Sequence, residues 1–314
     1  MASTAAVADS FSVPNYVGEL YQKGKIVYPF LSMIGYNSNM GRIVNSEAFP
    51  LRQSYALDAG SQPAISETTS LTAPTVSSYA RSQTYNTVQI FQRQVTVSYM
   101  KQSVTGQISG LGVLGDQPVD DELAFQIEAN LEQMAKDIEY SFINGTYQAA
   151  ANAATAAKTR GIVAACVSNS VNGGGADLDK ALLNELFIDM QTNGARFGAN
   201  MVIFASGTQM TKISDAYGKA PDSRTVGGVS IRQIDTDFGM FGIVNMRQIP
   251  TATVLVCDID ACAPAYLPVP GKGLLFYEEL AKTGAGEKGQ LYAQIGLDYG
   301  AEEFHGVITN LATS

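Results

Sequence analysis

The amino-acid sequence predicts an α+β fold gathered on one long helix, and three observations carry that prediction. Residues 120–144 place Leu123, Ile127, Leu131, Met134, Ile138 and Phe142 at steps of three and four, which keeps one apolar stripe on one side of an α-helix. β-rich stretches flank this helix, most clearly where Leu291, Ala293, Ile295, Leu297 and Tyr299 alternate strictly. Between the two, helical patterns alternate with short apolar runs, as in a compact α/β unit.

In chain order, residues 1–45 come first. A short helical patch at 14–22 is followed by KIVYPFLSMIG, read as extended because Pro29 interrupts a helix. The segment has too little pattern for a core of its own and is expected to lie over the body as an arm. Residues 46–85 are rich in Ser, Thr, Ala and Pro without a sustained period, and about 40 such residues are unusual inside a compact domain. Their flanks, RIVNSEAFPL and NTVQIFQRQVTVSY, read as strands, so 46–85 is expected to be a two-stranded excursion that returns to the body. In the second flank the apolar phase shifts from Val88 and Ile90 to Val95, Val97 and Tyr99, which places a bulge near residues 92–94.

The long helix has Asp120 as its N-cap, Asp121 and Glu122 in its first turn, and Gly145 as its stop. Residues 116–145 hold eight acids and one lysine, a net of −7 within a chain total of −9. The side opposite the stripe reads as a solvated acidic face. An alanine-rich turn (147–158), a strand GIVAACV (161–167) and a glycine loop (173–175) follow. A second helix begins at Asp177 or Asp179, with Leu182, Leu183, Leu186, Phe187 and Met190 on one face and Gly194 at its end. MVIFA (201–205) is a buried strand, and Ser206 with Gln209 forms a capping box for the helix after it. Strands near 229–234, 243–249 and 253–257 complete the α/β unit, and strands at 273–279, 290–299 and 304–311 close the chain.

Composition narrows the function classes. Only 16% of residues are charged, against about 25% in ordinary domains, and thirty glycines with no tryptophan fill the difference. Low charge without low hydrophobicity fits a subunit that hides surface against neighbours. With a net charge of −9 and no basic cluster, the chain is not built to grip nucleic acid through phosphates. The N-terminus has neither the basic nor the apolar region of a secretory signal, and no apolar run reaches the ~20 residues of a membrane span. Three cysteines make no disulfide framework, so synthesis in a cytosol is expected.

The motifs assemble no active site. Gly110, Gly112 and Gly115 spell GxGxxG, but Asp116, Gln117 and Pro118 separate them from the helix, whose acidic mouth would repel a phosphate. They read as a flexible connector. His305 is the only histidine and reads as a structural residue in an alternating strand, so no histidine-based metal cluster or Ser–His pair is expected. Cys257 and Cys262 lack CxxC spacing and read as core thiols. Asn144-Gly-Thr146 matches a glycosylation sequon but reads as a helix terminus, and Glu278 with Glu279 as a solvated edge. No cofactor and no enzymatic activity are expected.

Several phrases carry a family resemblance: YPFLSMIG, NTVQIFQRQVTVS, FINGT with RGI, DTDFGMFGIVNMRQIP, and above all ELAKTGAGEKGQLYAQIGLDYGAEEFHGVI. With the order of elements, they resemble the major capsid protein of tailed bacteriophages, which has the Hong Kong 97-type fold, over residues 25–311. The chain departs from some relatives in lacking a long, charged, helical pro-segment at its N-terminus. The resemblance implies a shell subunit that forms homo-pentamers and hexamers, assembles in the host bacterial cytoplasm and closes an icosahedral head around double-stranded DNA, held by enclosure. It implies an N-terminal arm (1–45), an extended loop laid on a neighbour (46–85), a peripheral domain (86–175) holding the spine helix 120–144, an axial domain (176–265), and peripheral return strands (266–314). Scaffolding, portal and decoration proteins are the implied partners, with no membrane. Arg52 and Arg81, whose charges are balanced by Asp58 and Glu67 so that the loop is neutral overall, are the candidate inter-subunit contacts, with a neighbour's acids. Two alternatives remain at this point: an encapsulin-type compartment shell, which shares the fold, and a nucleotide-binding enzyme using Gly110–Gly115.

Overall fold

The computed structural model describes residues 28–37, 41–54, 60–104, 122–198, 200–217, 223–226 and 229–313. The helical patch at 14–22, the Asp120 cap and the glycine run 110–115 lie outside them. The first described element, α1 (Pro29–Asn37), overturns the expectation of an extended chain here. Pro29 opens the helix instead of breaking it, because the first helical N–H has no intrahelical partner to lose and proline presets φ. Nor does this segment merely lie over the body. Tyr28, Phe30, Leu31, Met33 and Ile34 are all buried.

After β1 (Arg42–Ile43), β2 (Ala48–Ser54) leaves the body and β3 (Ser82–Thr87) returns antiparallel to it, from Ala48 opposite Thr87 to Ser54 opposite Ser82. A single helical turn, α2 (Glu67–Ser70), lies between them, its N-terminus capped by Ser66. β4 (Gln89–Ser98) then pairs without interruption with β13 (Gly286–Asp298), from Gln89 opposite Ile295 to Ser98 opposite Gly286. The bulge expected near 92–94 is absent. Phe91, Val95 and Val97 all point inward, Ile90 is 59% exposed, and the buried Val88 sits between β3 and β4, outside the strand whose phase it was taken to share.

Next come α3 (Tyr99–Val104) and the spine, α4 (Glu122–Asn144). The apolar stripe is as expected: Leu131, Met134, Ile138 and Phe142 are buried, with Leu123 and Ile127 half-buried at the start. Glu139, counted in the sequence among the acids of the polar side, is buried with the stripe. Gly145 ends the helix, but not in the left-handed conformation of a glycine stop. Its role is steric, because a Cβ there would lie 2.3 Å from the Ser141 carbonyl oxygen and 2.5 Å from that of Thr159. The chain turns back against itself at this point, and Gly161 donates its N–H to the Gly145 carbonyl at 2.8 Å.

GIVAACV is not a strand. α5 (Ile162–Ala165) is a single helical turn packed on the spine, and its length leaves no room for a ladder. β5 (Ser170–Asn172) and α6 (Lys180–Thr192) follow, with the Asp179 carboxylate accepting from the Leu182 N–H at 2.8 Å as the cap. β6 (Met201–Ala205) is buried along its whole length. α7 (Gly207–Tyr217) begins without the expected capping box, because Ser206 Oγ and Gln209 Nε2 both donate to the Thr251 carbonyl instead. β7 (Ser223–Val226), β8 (Val229–Thr236), β9 (Gly239–Asn245), β10 (Val254–Asp258), β11 (Ala263–Tyr266), β12 (Leu275–Glu279) and β14 (Gly306–Thr309) complete the chain.

Two sheets result. In the first, β13 carries β4 along one edge and β12 and β11 in tandem along the other, with β1 parallel to β11. The second has seven strands in the order β5-β14-β10-β6-β9-β8-β7. The closing strand β14 therefore joins the second sheet and not the return strands beside it in sequence. β6 and β10 split their side chains between two cores. Val202, Phe204, Leu255 and Cys257 face the core shared by α1, the spine and the first sheet, while Ile203, Val254 and Val256 face one with α6. In that second core Phe187 stacks on Phe241 at 4.5 Å between ring centroids.

Leu131→Asp should destabilise the protein by about 3–5 kcal/mol in urea unfolding, since it buries a carboxylate without a partner. Glu132→Gln, on the exposed side, should stay within about 0.5 kcal/mol of wild type. Equal unfolding midpoints would show the faces to be misassigned. Gly145→Ala should cost about 1–3 kcal/mol through backbone overlap, and a variant as stable as wild type would show that the turn after the spine yields readily.

Candidate assembly surface

The excursion between β2 and β3 is firm at its base and uncovered beyond it. Phe49 and Leu51 of β2 are buried. Asn86, fully buried on β3, donates to the Leu297 carbonyl at 2.7 Å and the Arg160 carbonyl at 3.2 Å, while its Oδ1 accepts from the N–H groups of Thr87 and Arg160. One amide thus ties the returning strand to β13 and to the turn after the spine. Arg42 reaches across from β1, donating to the Pro50 carbonyl at 2.9 Å and pairing with Asp298 at 2.7 Å. Beyond this base, residues 60–85 are exposed throughout. Leu71 is 85% and Val76 90% exposed, and Ile65 and Tyr79 are also uncovered. Apolar side chains are thus displayed on a segment without a core of its own.

Arg81 is exposed just before β3. Arg52 lies in β2, at the register shift between Pro50 and Gln53, and its side chain falls outside the described residues. The base itself, Asn86 and Arg42, is not legible in the sequence, because hydrogen bonds across 211 and 256 positions leave no local pattern.

The structure also brings together residues that the sequence kept apart. Cys257 Sγ lies 3.6 Å from Cys262 Sγ, and Cys262 Sγ lies 4.0 Å from His305 Nε2, all buried. His305 stands between a 3₁₀ turn (Glu302–Phe304) and β14, not within a strand. Two thiols and an imidazole are metal-ligand types, so the fit must be tested on the hydrogen bonds. The Asp258 backbone N–H can only donate, so Nδ1 accepts from it at 3.3 Å and the ring proton sits on Nε2, 2.7 Å from the Tyr299 carbonyl. Both ring nitrogens are then spent on the backbone, and neither offers a lone pair to an ion. Among the described residues no fourth ligand joins the three. Burial pushes the Cys257 thiol well up, which keeps it protonated, while at Cys262 the hydrogen bond with Cys257 and the neighbouring His305 overcome burial and draw the thiol down to about 6. The cluster is a core knot that pins the end of β10 to the start of β14. Glu278 and Glu279 do not act as a pair, because Glu278 is held by Lys272 and Gln290. A groove of about 760 Å³ beside the base of the excursion is lined mainly by Ile90, Gln294 and the alanine-rich turn 150–158, and gathers no acid–base constellation.

Comparison with known proteins follows the same lines. No curated protein sequence matches the chain. Among solved structures, the capsid asymmetric unit of cyanophage A-1(L) is 13% identical with a TM-score of 0.63 over 100% of both chains. The structure from Mycobacterium phage Patience is 10% identical with a TM-score of 0.60, covering 95% of this chain and 87% of its own. The holo-SrpI encapsulin complex from Synechococcus elongatus PCC 7942 is 12% identical with a TM-score of 0.57, over 88% and 87%. These likenesses establish the Hong Kong 97-type capsid fold. The sequence model of the SU10 major capsid protein matches residues 3–312, nearly the whole length, and the chain therefore belongs to the SU10 major capsid protein family.

Proposed function

We propose that this capsid subunit assembles into homo-pentamers and hexamers that close an icosahedral phage head around double-stranded DNA, and that residues 46–85 are laid across a neighbouring subunit. The observation that carries the reading is the excursion: a base fixed by Asn86 and Arg42, and beyond it uncovered Ile65, Leu71, Val76 and Tyr79. Ordering a residue costs about 1–2 kcal/mol, which a segment without its own core must recover against another molecule. In this reading residues 176–265 form the axial domain, which borrows β5 and β14 to finish its sheet, and the spine with the first sheet forms the peripheral domain. Residues 1–45 form the arm, of which α1 is embedded in the body.

The subunit's role is structural and not enzymatic. Assembly takes place in the host cytoplasm, with scaffolding, portal and decoration proteins as the further partners. A chain of net charge −9 without a basic cluster suits a shell along which DNA slides, because it offers few counter-charges to grip phosphates. The encapsulin reading rests on a fold shared at 12% identity, whereas the capsid family match spans residues 3–312.

Limited proteolysis with mass mapping tests the excursion. Cleavage should fall first between residues 50 and 82 in dissociated subunits and be suppressed in assembled particles. Equal resistance in both forms would make the excursion part of the subunit's own body. Arg52→Glu and Arg81→Glu should leave the subunit's melting temperature unchanged and slow shell formation modestly, since exposed ion pairs are worth about 0.2–1 kcal/mol each. Unaltered assembly kinetics in the double variant would remove both arginines from the interface.

A further inference from the structure

Glu139 has no role in the stripe that surrounds it. Its side chain is fully buried, and Oε2 accepts from the Leu31 N–H at 3.2 Å, at the N-terminus of α1. The opposite oxygen, Oε1, is buried and has no hydrogen-bond partner among the described residues. No lysine or arginine there pairs with the carboxyl. Burial and the backbone of Phe30 and Leu31 dominate its surroundings, and the charged groups of this region, Glu132 and Asp137 on the spine and Arg247 in the loop after β9, act with Glu139 on Tyr28, just ahead of α1. The Tyr28 hydroxyl is held above its usual range by burial first and then by the carboxylates, with Arg247 opposing. Asp137 is itself tied to Arg93 at 2.6 Å.

We propose that Glu139 is a proton-coupled latch on the N-terminal segment: α1 docks on the spine with a proton held on Oε1, and docking weakens when that proton leaves. The geometry assigns the proton, since Oε2 is spent on backbone N–H and Oε1 meets nothing that would stabilise a charge. The amides and dipole at the start of α1 favour the carboxylate, but burial outweighs them and raises its pKa to about 8. The sign follows. The docked state keeps its proton at pH values where a released, solvated Glu139 has lost it, so docking is fully favourable below the ordinary carboxylate range. It weakens as pH rises from there to about 8. Release of the segment gives up one proton.

Hydrogen exchange of the assembled particle, corrected for the intrinsic pH dependence of exchange, reads the latch at the amides of residues 30–34. In wild type their protection should fall by up to about tenfold per pH unit between pH 6 and 8, while Glu139→Gln, which keeps the shape without the ionisation, should show a flat profile. The same fall in the variant, or a flat profile in wild type, overturns the proposal. Should Glu139→Gln fail to fold, isotope-edited infrared spectroscopy of glutamate-labelled wild type decides. A buried protonated carboxyl band that disappears with an alkaline midpoint supports the latch, and a fully ionised Glu139 at pH 6 sinks it.

Discussion

Everything in this subunit depends on the burial of one short helix. Phe30, Leu31, Met33 and Ile34 of α1 fill the space between the spine, the first sheet and the near face of the second. Phe30 meets Phe204 edge-on at 5.6 Å between ring centroids, which joins the N-terminal segment to the centre of the seven-stranded sheet. Without α1 the spine stripe and the inward faces of β6 and β10 would open onto a void, and interiors of this kind do not tolerate voids cheaply. The N-terminal segment thereby belongs to the core and ties the spine to the second sheet.

The first sheet and the spine form a stiff frame. β13 is 13 residues long and is paired on both edges for much of its length, while the spine crosses β4 and is held to it by Arg93 and Asp137. The excursion leaves this frame beside Asn86, whose buried hydrogen bonds tie its returning strand to β13 and to the turn after the spine.

The buried polar groups fall into two kinds. The Cys257, Cys262 and His305 knot is satisfied by the backbone of Asp258 and Tyr299, and it secures the junction where the chain passes from β10 toward β11 and where β14 enters. Asn86 is satisfied in the same way. Glu139 is of the other kind, with one oxygen bonded and the other bare, and a half-satisfied buried acid is held in its neutral form by its surroundings.

The sequence by itself determined the elements whose patterns are local. The stripe from Leu123 to Phe142, the alternation from Leu291 to Tyr299, the Asp179 cap and the fully apolar MVIFA each express a period or cap within one stretch of chain, and a solitary element already feels that constraint. The patternless excursion was legible for the same reason, since nothing in it could build a core. The tertiary structure decided whatever depends on what lies opposite. Pro29 could break a helix or open one, and the packing of Phe30 and Leu31 chose the second. Ile90 faces solvent because β13 sets the phase of β4 from Gln89 to Ser98. Glu139 looked like one more acid on a solvated face until α1, 108 residues earlier, set its amides against it. Long-range contacts of this kind have no sequence period, so only the assembled core could reveal them.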